Sequence, residues 1–192
     1  MANTEQTRNG QAGFSLIEVM IAMAILATGL LSLAGVFIMG LSQLSAGSAS
    51  LIAREKAREA VESVHTARDT KTIPWCRIRN YGTATGCADG AAGVFLTGAQ
   101  PLREPDAIGL VNTSTTGQLE VSIGPGVDNV LGTADDTRTP LSNYTRQIEI
   151  LDITQANGTV NPNLRLLRVT IGYTVGKTNR TYVLTTYVSA IS

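Results

Sequence analysis

From Phe14 to Ala53 this chain carries a single ionisable side chain, Glu18, and the next charge is Arg54. About 20 consecutive apolar residues suffice to cross a bilayer as a helix, and the stretch from Val19 to Leu41 exceeds that. A long apolar helix is therefore the first thing any fold of this chain must accommodate. A carboxylate near the start of such a span costs roughly 2.5–3.5 kcal/mol at the helix centre on insertion scales, so something should compensate for Glu18. A secretory signal peptide is a poor account of the same stretch. Its apolar region runs 7–15 residues, with a small-residue cleavage site behind it, whereas this run is longer and the junction Gly13-Phe14 lies in front.

The sequence Gly13 followed by Phe14-Ser15-Leu16-Ile17-Glu18-Val19 resembles the processing site of type IV prepilins and of type II secretion pseudopilins. The continuation from Ile25 to Gly35, Ile-Leu-Ala-Thr-Gly-Leu-Leu-Ser-Leu-Ala-Gly, is similar to the minor pilins called PilV. The resemblance covers roughly the first third of the chain. It implies that a prepilin peptidase cuts after Gly13 and methylates the new terminal amine of Phe14. It also implies that Glu18, fifth in the mature chain, pairs with the terminal amine of a neighbouring subunit during assembly. Residues 1–13 are then a leader peptide, 14–73 a transmembrane and stem helix, and 74–192 a globular β-rich head. Gly35 stands where major pilins often carry a proline, and Gly29, Gly40 and Gly47 are further interruptions of the helix.

The second half of the stem changes character. Ile52, Ala57, Ala60, Val61, Val64 and Ala67 recur at three- and four-residue steps, with charged residues at most other positions, an amphipathic pattern with a narrow apolar stripe. Pro74 ends it, because residues before proline avoid the helical region. About 120 residues remain beyond the stem, one domain of common size. Fifteen basic and fifteen acidic side chains balance, which leaves no electrostatic footprint for nucleic acid. If the head is exported, the two cysteines, Cys76 and Cys87, are expected to form a disulfide.

Residues Gly117 to Ile123 predict a strand with Leu119, Val121 and Ile123 on one face. A glycine-rich loop follows, in which Asp128, Asn129, Asp135 and Asp136 are candidate oxygen ligands for Ca²⁺. The spacing is not that of an EF-hand; an ordinary turn-rich loop capped by its own Asp and Asn side chains is the competing account. In the last third, Tyr144, Ile148 and Ile150 alternate imperfectly with Arg146, Glu149 and Asp152. Leu167, Val169, Ile171 and Tyr173 mark the next strand, and Tyr182, Leu184, Thr186 and Val188 the last. A turn at Gly176-Lys177-Thr178-Asn179 joins those two as a hairpin.

The expected fold class is α+β: a long N-terminal helix, membrane-spanning in its first half, packed on a small antiparallel sheet. No nucleophile, base and acid set accompanies His65, the one histidine, which is expected to be an exposed stem residue, and no phosphate-binding loop follows a strand; no enzyme is expected, and no cofactor beyond the candidate calcium. The resemblance implies a minor type IV pilin, held in the bacterial inner membrane as a single-pass prepilin with its head in the periplasm. Its partners are then the prepilin peptidase, other pilin subunits and the inner-membrane assembly platform, and its destination a filament at the cell surface. A type II secretion pseudopilin in a periplasmic pseudopilus shares these features. A membrane-anchored binding protein that never polymerises is the alternative of a different class.

Overall fold

The computed structural model describes residues 15–83 and 87–191, apart from the side chains of 42 and 45. The chain divides into two compact units between Ser45 and Ala46. Helix α1, Leu16–Asp69, supplies the whole regular structure of the first unit and continues into the second. It runs without a break through Gly29, Gly35, Gly40 and Gly47, where each added Cβ would meet nothing within 4 Å.

In the second unit α1 contributes Ala53, Ala57, Ala60, Val64 and Ala67 to the core, all buried. The spacing keeps these residues on one side of the helix, and their small size leaves room for larger side chains opposite. Those come from a four-stranded antiparallel sheet of order β1-β4-β5-β6, built from Gln100–Pro101 (β1), Tyr144–Thr154 (β4), Val160–Val175 (β5) and Thr178–Ser189 (β6). Ile148, Leu167, Val169, Ile171 and Val188 point inward and are fully buried. Each such side chain contributes roughly 1.5–3 kcal/mol relative to exposure. Phe95, Leu102, Leu110 and Val111, from the long connection before β2, close the other side of the core. The class is α+β, as the periodicity predicts.

The strands β5 and β6 pair without a slip from Leu164 with Ser189 to Val175 with Thr178. Gly176, at φ +61°, opens the two-residue turn between them, a backbone position that suits glycine. A second sheet holds only β2 (Val121–Gly124) and β3 (Thr137–Pro140), antiparallel, with the loop 125–136 at its end.

Three sequence expectations need correction. The strand expected over 117–123 begins only at Val121; Leu119 makes just an isolated bridge with Arg103, and Ile123 is 50% exposed. β2 is only four residues long and pairs with β3 alone; Val121 at its start is half-buried near Ile52 of α1, while Ile123 toward its end is left in water. Arg146, grouped with the polar residues of its strand, points inward beside Tyr144 and Ile148 and is 1% exposed. His65, expected on the exposed side of the stem, is half-buried. Burial, and then Arg68, push its imidazole below the usual range, against the pull of Asp69.

Arg146 is tolerated in the core because Glu120, itself 4% exposed, lies 3.1 Å from its Nη2. The other carboxylate oxygen of Glu120 meets Lys56 Nζ at 2.7 Å, and Lys56 also reaches Glu59 at 2.6 Å. Burial opposes the Lys56 ammonium, yet hydrogen bonds to Glu120 and Glu59 outweigh it and hold its pKa above the ordinary value. This chain of charges ties α1 to the loop before β2 and to β4.

A second polar cluster holds the segment after the helix. Cys76 lies in a single 3₁₀ turn, Trp75–Arg77, and is bonded to Cys87 with a Cα separation of 5.4 Å. Arg165 of β5 stacks its guanidinium 4.1 Å from the centre of the Trp75 ring, a contact favoured by the ring's negative face. The same side chain donates to the carbonyls of Trp75 and Ile78 at 2.6 and 2.8 Å. Burial, and then Arg79, bring its pKa down to about 10, still fully charged at neutral pH. Reducing the Cys76–Cys87 bond, which spans a separation of 11 residues, should cost about 2.5–3 kcal/mol in the chain-entropy account. A lower melting temperature in reductant, with the native circular dichroism spectrum kept at 25 °C, is the expected result. Unchanged melting would show that Arg165 and Trp75 hold the segment without the bond.

Candidate functional site

The site is the N-terminal part of α1. Ser15 precedes the helix and its carbonyl accepts from the N–H groups of Glu18 and Val19 at 3.0 and 3.3 Å. Glu18 thus stands in the first helical turn, where the positive end of the helix dipole favours a carboxylate by about 0.3–1 kcal/mol. Around and after it the helix is apolar and open on all sides: Leu16 81%, Met20 60%, Leu31 74% and Phe37 65% exposed. Among the described residues α1 is the one helix long and apolar enough to cross a membrane. Its polar side chains within the span are bonded inside the helix. Thr28 Oγ1 donates to the carbonyl of Ile25 at 2.9 Å, and Ser32 Oγ to that of Thr28 at 2.9 Å, which lets these hydroxyls enter hydrocarbon without an unmet donor.

Glu18 differs in that respect. No ion pair engages it among the described residues, and the next ionisable group along the helix is Arg54. A carboxylate of this kind in an apolar setting is satisfied by a cation from outside its own helix or by staying at the headgroup level. Gly13 and Phe14, the junction singled out in the sequence, lie outside the described residues.

Residues 8–34 match the family model of the prokaryotic N-terminal methylation motif. The chain carries a prepilin-type methylation motif. The match runs through Gly13, Phe14 and Glu18 and on into the apolar span, so junction, carboxylate and helix are parts of one feature. It supports a type IV pilin-like family whose members are structural subunits, trimmed and methylated by a prepilin peptidase. No curated protein and no solved structure matches the chain.

The remaining candidates fall elsewhere. In the loop 125–136, Asp128 Oδ1 accepts from the N–H of Val130 at 2.9 Å, Asp136 Oδ2 from that of Gly132 at 2.7 Å, and Asp135 Oδ1 from the hydroxyl of Thr133 at 2.7 Å. Asn129 holds a left-handed backbone at φ +56°. Ca²⁺ asks for six to eight oxygens aimed at one point. Here the carboxylates turn to donors of their own loop, and among the described residues no group of three His, Cys, Asp or Glu is placed to hold a metal. His65 sits on α1 between Val64 and Thr66, near Arg68 and Asp69.

Sequence reading missed one residue that shapes the head. Asn80 donates from Nδ2 to the carbonyl of Ile148 at 2.6 Å and accepts at Oδ1 from the N–H of Ile150 at 2.8 Å. It satisfies the exposed edge of β4 as a neighbouring strand would. A lone Asn in an irregular stretch gives no sign of this, because its partners lie about 70 residues away.

Proposed function

We propose that this chain is a minor type IV pilin of the PilV kind: a prepilin cut between Gly13 and Phe14, methylated at Phe14, and built into a filament. The observation that carries the reading is the coincidence, in one motif, of the Gly13-Phe14 junction, a lone Glu18 in the first helical turn and a wholly exposed apolar helix. The stem anchors the prepilin in the inner membrane with its head in the periplasm, and supplies the assembly surface once the leader is gone. Its partners are the prepilin peptidase, other pilin subunits and the membrane platform that extracts them. The head, held by the buried charges and the disulfide, supplies surface.

Intact mass of the protein from membranes or sheared filaments tests this. The expected chain has 179 residues (192 minus 13) and begins at methylated Phe14. A Gly13→Glu variant should accumulate at full length. A mature protein that retains Met1 to Gly13 would overturn the reading.

A further inference from the structure

Beyond the end of α1 the head has a cavity of about 450 Å³, open to solvent, to which separate stretches of the chain contribute. Its size falls within the range of small-molecule sites. Thr72, just past the helix, stands on one side, Arg77 and Tyr81 on a second, and Ile108, Thr113 and Ser114 on a third. Asp69, the last residue of α1, is about 35 Å along the helix from Ala46, where α1 joins this unit, at 1.5 Å per residue.

These walls are built without a ligand. Arg77 and Tyr81 lie between the bonded cysteines, Cys76 and Cys87. Their segment is also pinned from the side: the N–H of Val94 donates to the Arg77 carbonyl at 3.2 Å, and that of Tyr81 to the Phe95 carbonyl at 2.7 Å. Gly93 permits this approach, since a Cβ there would collide with the Asn80 carbonyl. Asp106 organises the third side. Its Oδ1 accepts from the N–H groups of Ile108 and Leu110 at 3.1 and 2.8 Å, and its Oδ2 from the Thr113 hydroxyl at 2.8 Å. Asp106 lines the cavity too, but its carboxylate is committed to donors of its own loop.

Arg77 is the contrast. Its Nε donates to the Ala92 carbonyl at 3.3 Å. Its two terminal nitrogens have no acceptor among the described residues, and no ion pair there includes it. A guanidinium fixed through Nε presents its other two nitrogens as a fork that fits a carboxylate. Tyr81, 64% exposed, and Ile108, 55% exposed, add apolar contact area. The hydroxyls of Thr72, Thr113 and Ser114 each hydrogen-bond within the protein and keep capacity for a further partner.

We propose that this cavity binds an acidic sugar, a hexuronate unit. Its carboxylate meets the Arg77 fork, the C–H side of its ring lies against Tyr81, and its hydroxyls face those of the threonines and Ser114. Other ligands use less of the site. Inorganic phosphate engages Arg77 and leaves Tyr81 and Ile108 in water. An aromatic acid uses fork and ring but not the hydroxyls, and a neutral sugar leaves Arg77 without its anion. The proposal depends neither on leader removal nor on filament assembly.

Ligand-detected NMR titration of the full chain in detergent tests it, with galacturonate as the probe and galactose, phosphate and benzoate for comparison. Galacturonate should bind with a Kd on the order of 1 mM, as suits so small a ligand. The other three should bind at least about tenfold more weakly, because each lacks either the charged pair or the remaining contacts. Arg77→Gln should weaken galacturonate binding about tenfold through loss of the charge-assisted hydrogen bonds, and Tyr81→Ala severalfold. Tyr81 is exposed, so that variant should melt as the parent does, which separates lost binding from lost fold. Galacturonate that fails to saturate at tens of millimolar would overturn the proposal. So would comparable binding of galactose, phosphate or benzoate, or an unchanged affinity in either variant.

Discussion

A Glu18→Leu chain is expected to enter the membrane and fold its head as well as the parent, yet to disappear from sheared filaments. Removing a carboxylate from the start of an apolar span takes away an insertion cost of up to roughly 2.5–3.5 kcal/mol, so insertion should hold or improve. The head has no stake in Glu18, whose neighbours on the helix are exposed apolar residues. What the substitution removes is the one negative group that could meet a neighbour's terminal amine after cleavage at Phe14. A self-pair is the competing account, since Phe14 and Glu18 are about one turn apart, roughly 6 Å along the axis at 1.5 Å per residue. The two accounts differ in outcome: a self-pair predicts normal incorporation, an intersubunit pair predicts loss. Immunoblots of sheared filaments and of membranes from the same cells decide it. Normal incorporation of Glu18→Leu would falsify the assembly role while leaving the anchor intact.

Arg146→Ala should be the most damaging single change in the head. It leaves Glu120, 4% exposed, with Lys56 as its remaining cation, and opens space beside Ile148. Breaking a buried pair by removing one partner costs roughly 3–5 kcal/mol; the surviving Lys56 contact places the expectation near the low end, about 3 kcal/mol. For a unit of this size that corresponds to a drop in melting temperature on the order of 10 °C. The double substitution Arg146→Met with Glu120→Leu should lose less than Arg146→Ala alone, because no charge is then left buried without its main partner. Thermal melts of the three chains in the same detergent provide the measurement. A double variant as unstable as the single one would show that packing, not the stranded carboxylate, sets the loss.

Much of this protein was legible before any coordinates. The membrane-length helix follows from the absence of charge between Glu18 and Arg54, because hydrocarbon admits few other arrangements of backbone. The last three strands follow from alternation, imperfect in β4, because the core-facing residues of β4, β5 and β6 are more covered than those between them. The Ala-rich stripe of α1 was legible for the same reason. Periodicity reports which side of an element is covered, and it reports nothing about what covers it.

That limit explains the residues that sequence reading misplaced or passed over. Arg146 could be read as a surface charge because its partner, Glu120, lies 26 positions earlier and its burial depends on their meeting. Leu119 and Ile123 have the right spacing for a covered strand, but Leu119 falls before β2 and Ile123, toward its end, stays in water. Asn80 acts as a stand-in strand only where the fold brings it to Ile148 and Ile150. The sequence by itself determined the elements whose signal is local: the methylation motif with Glu18, the anchor helix, and the alternating strands. Only the tertiary structure decided the buried Lys56–Glu120–Arg146 chain, the Trp75–Arg165 stack behind the disulfide, and which apolar residues of β2 and the loop after it stayed in water, because each depends on groups far apart in the chain meeting at distances of a few ångströms.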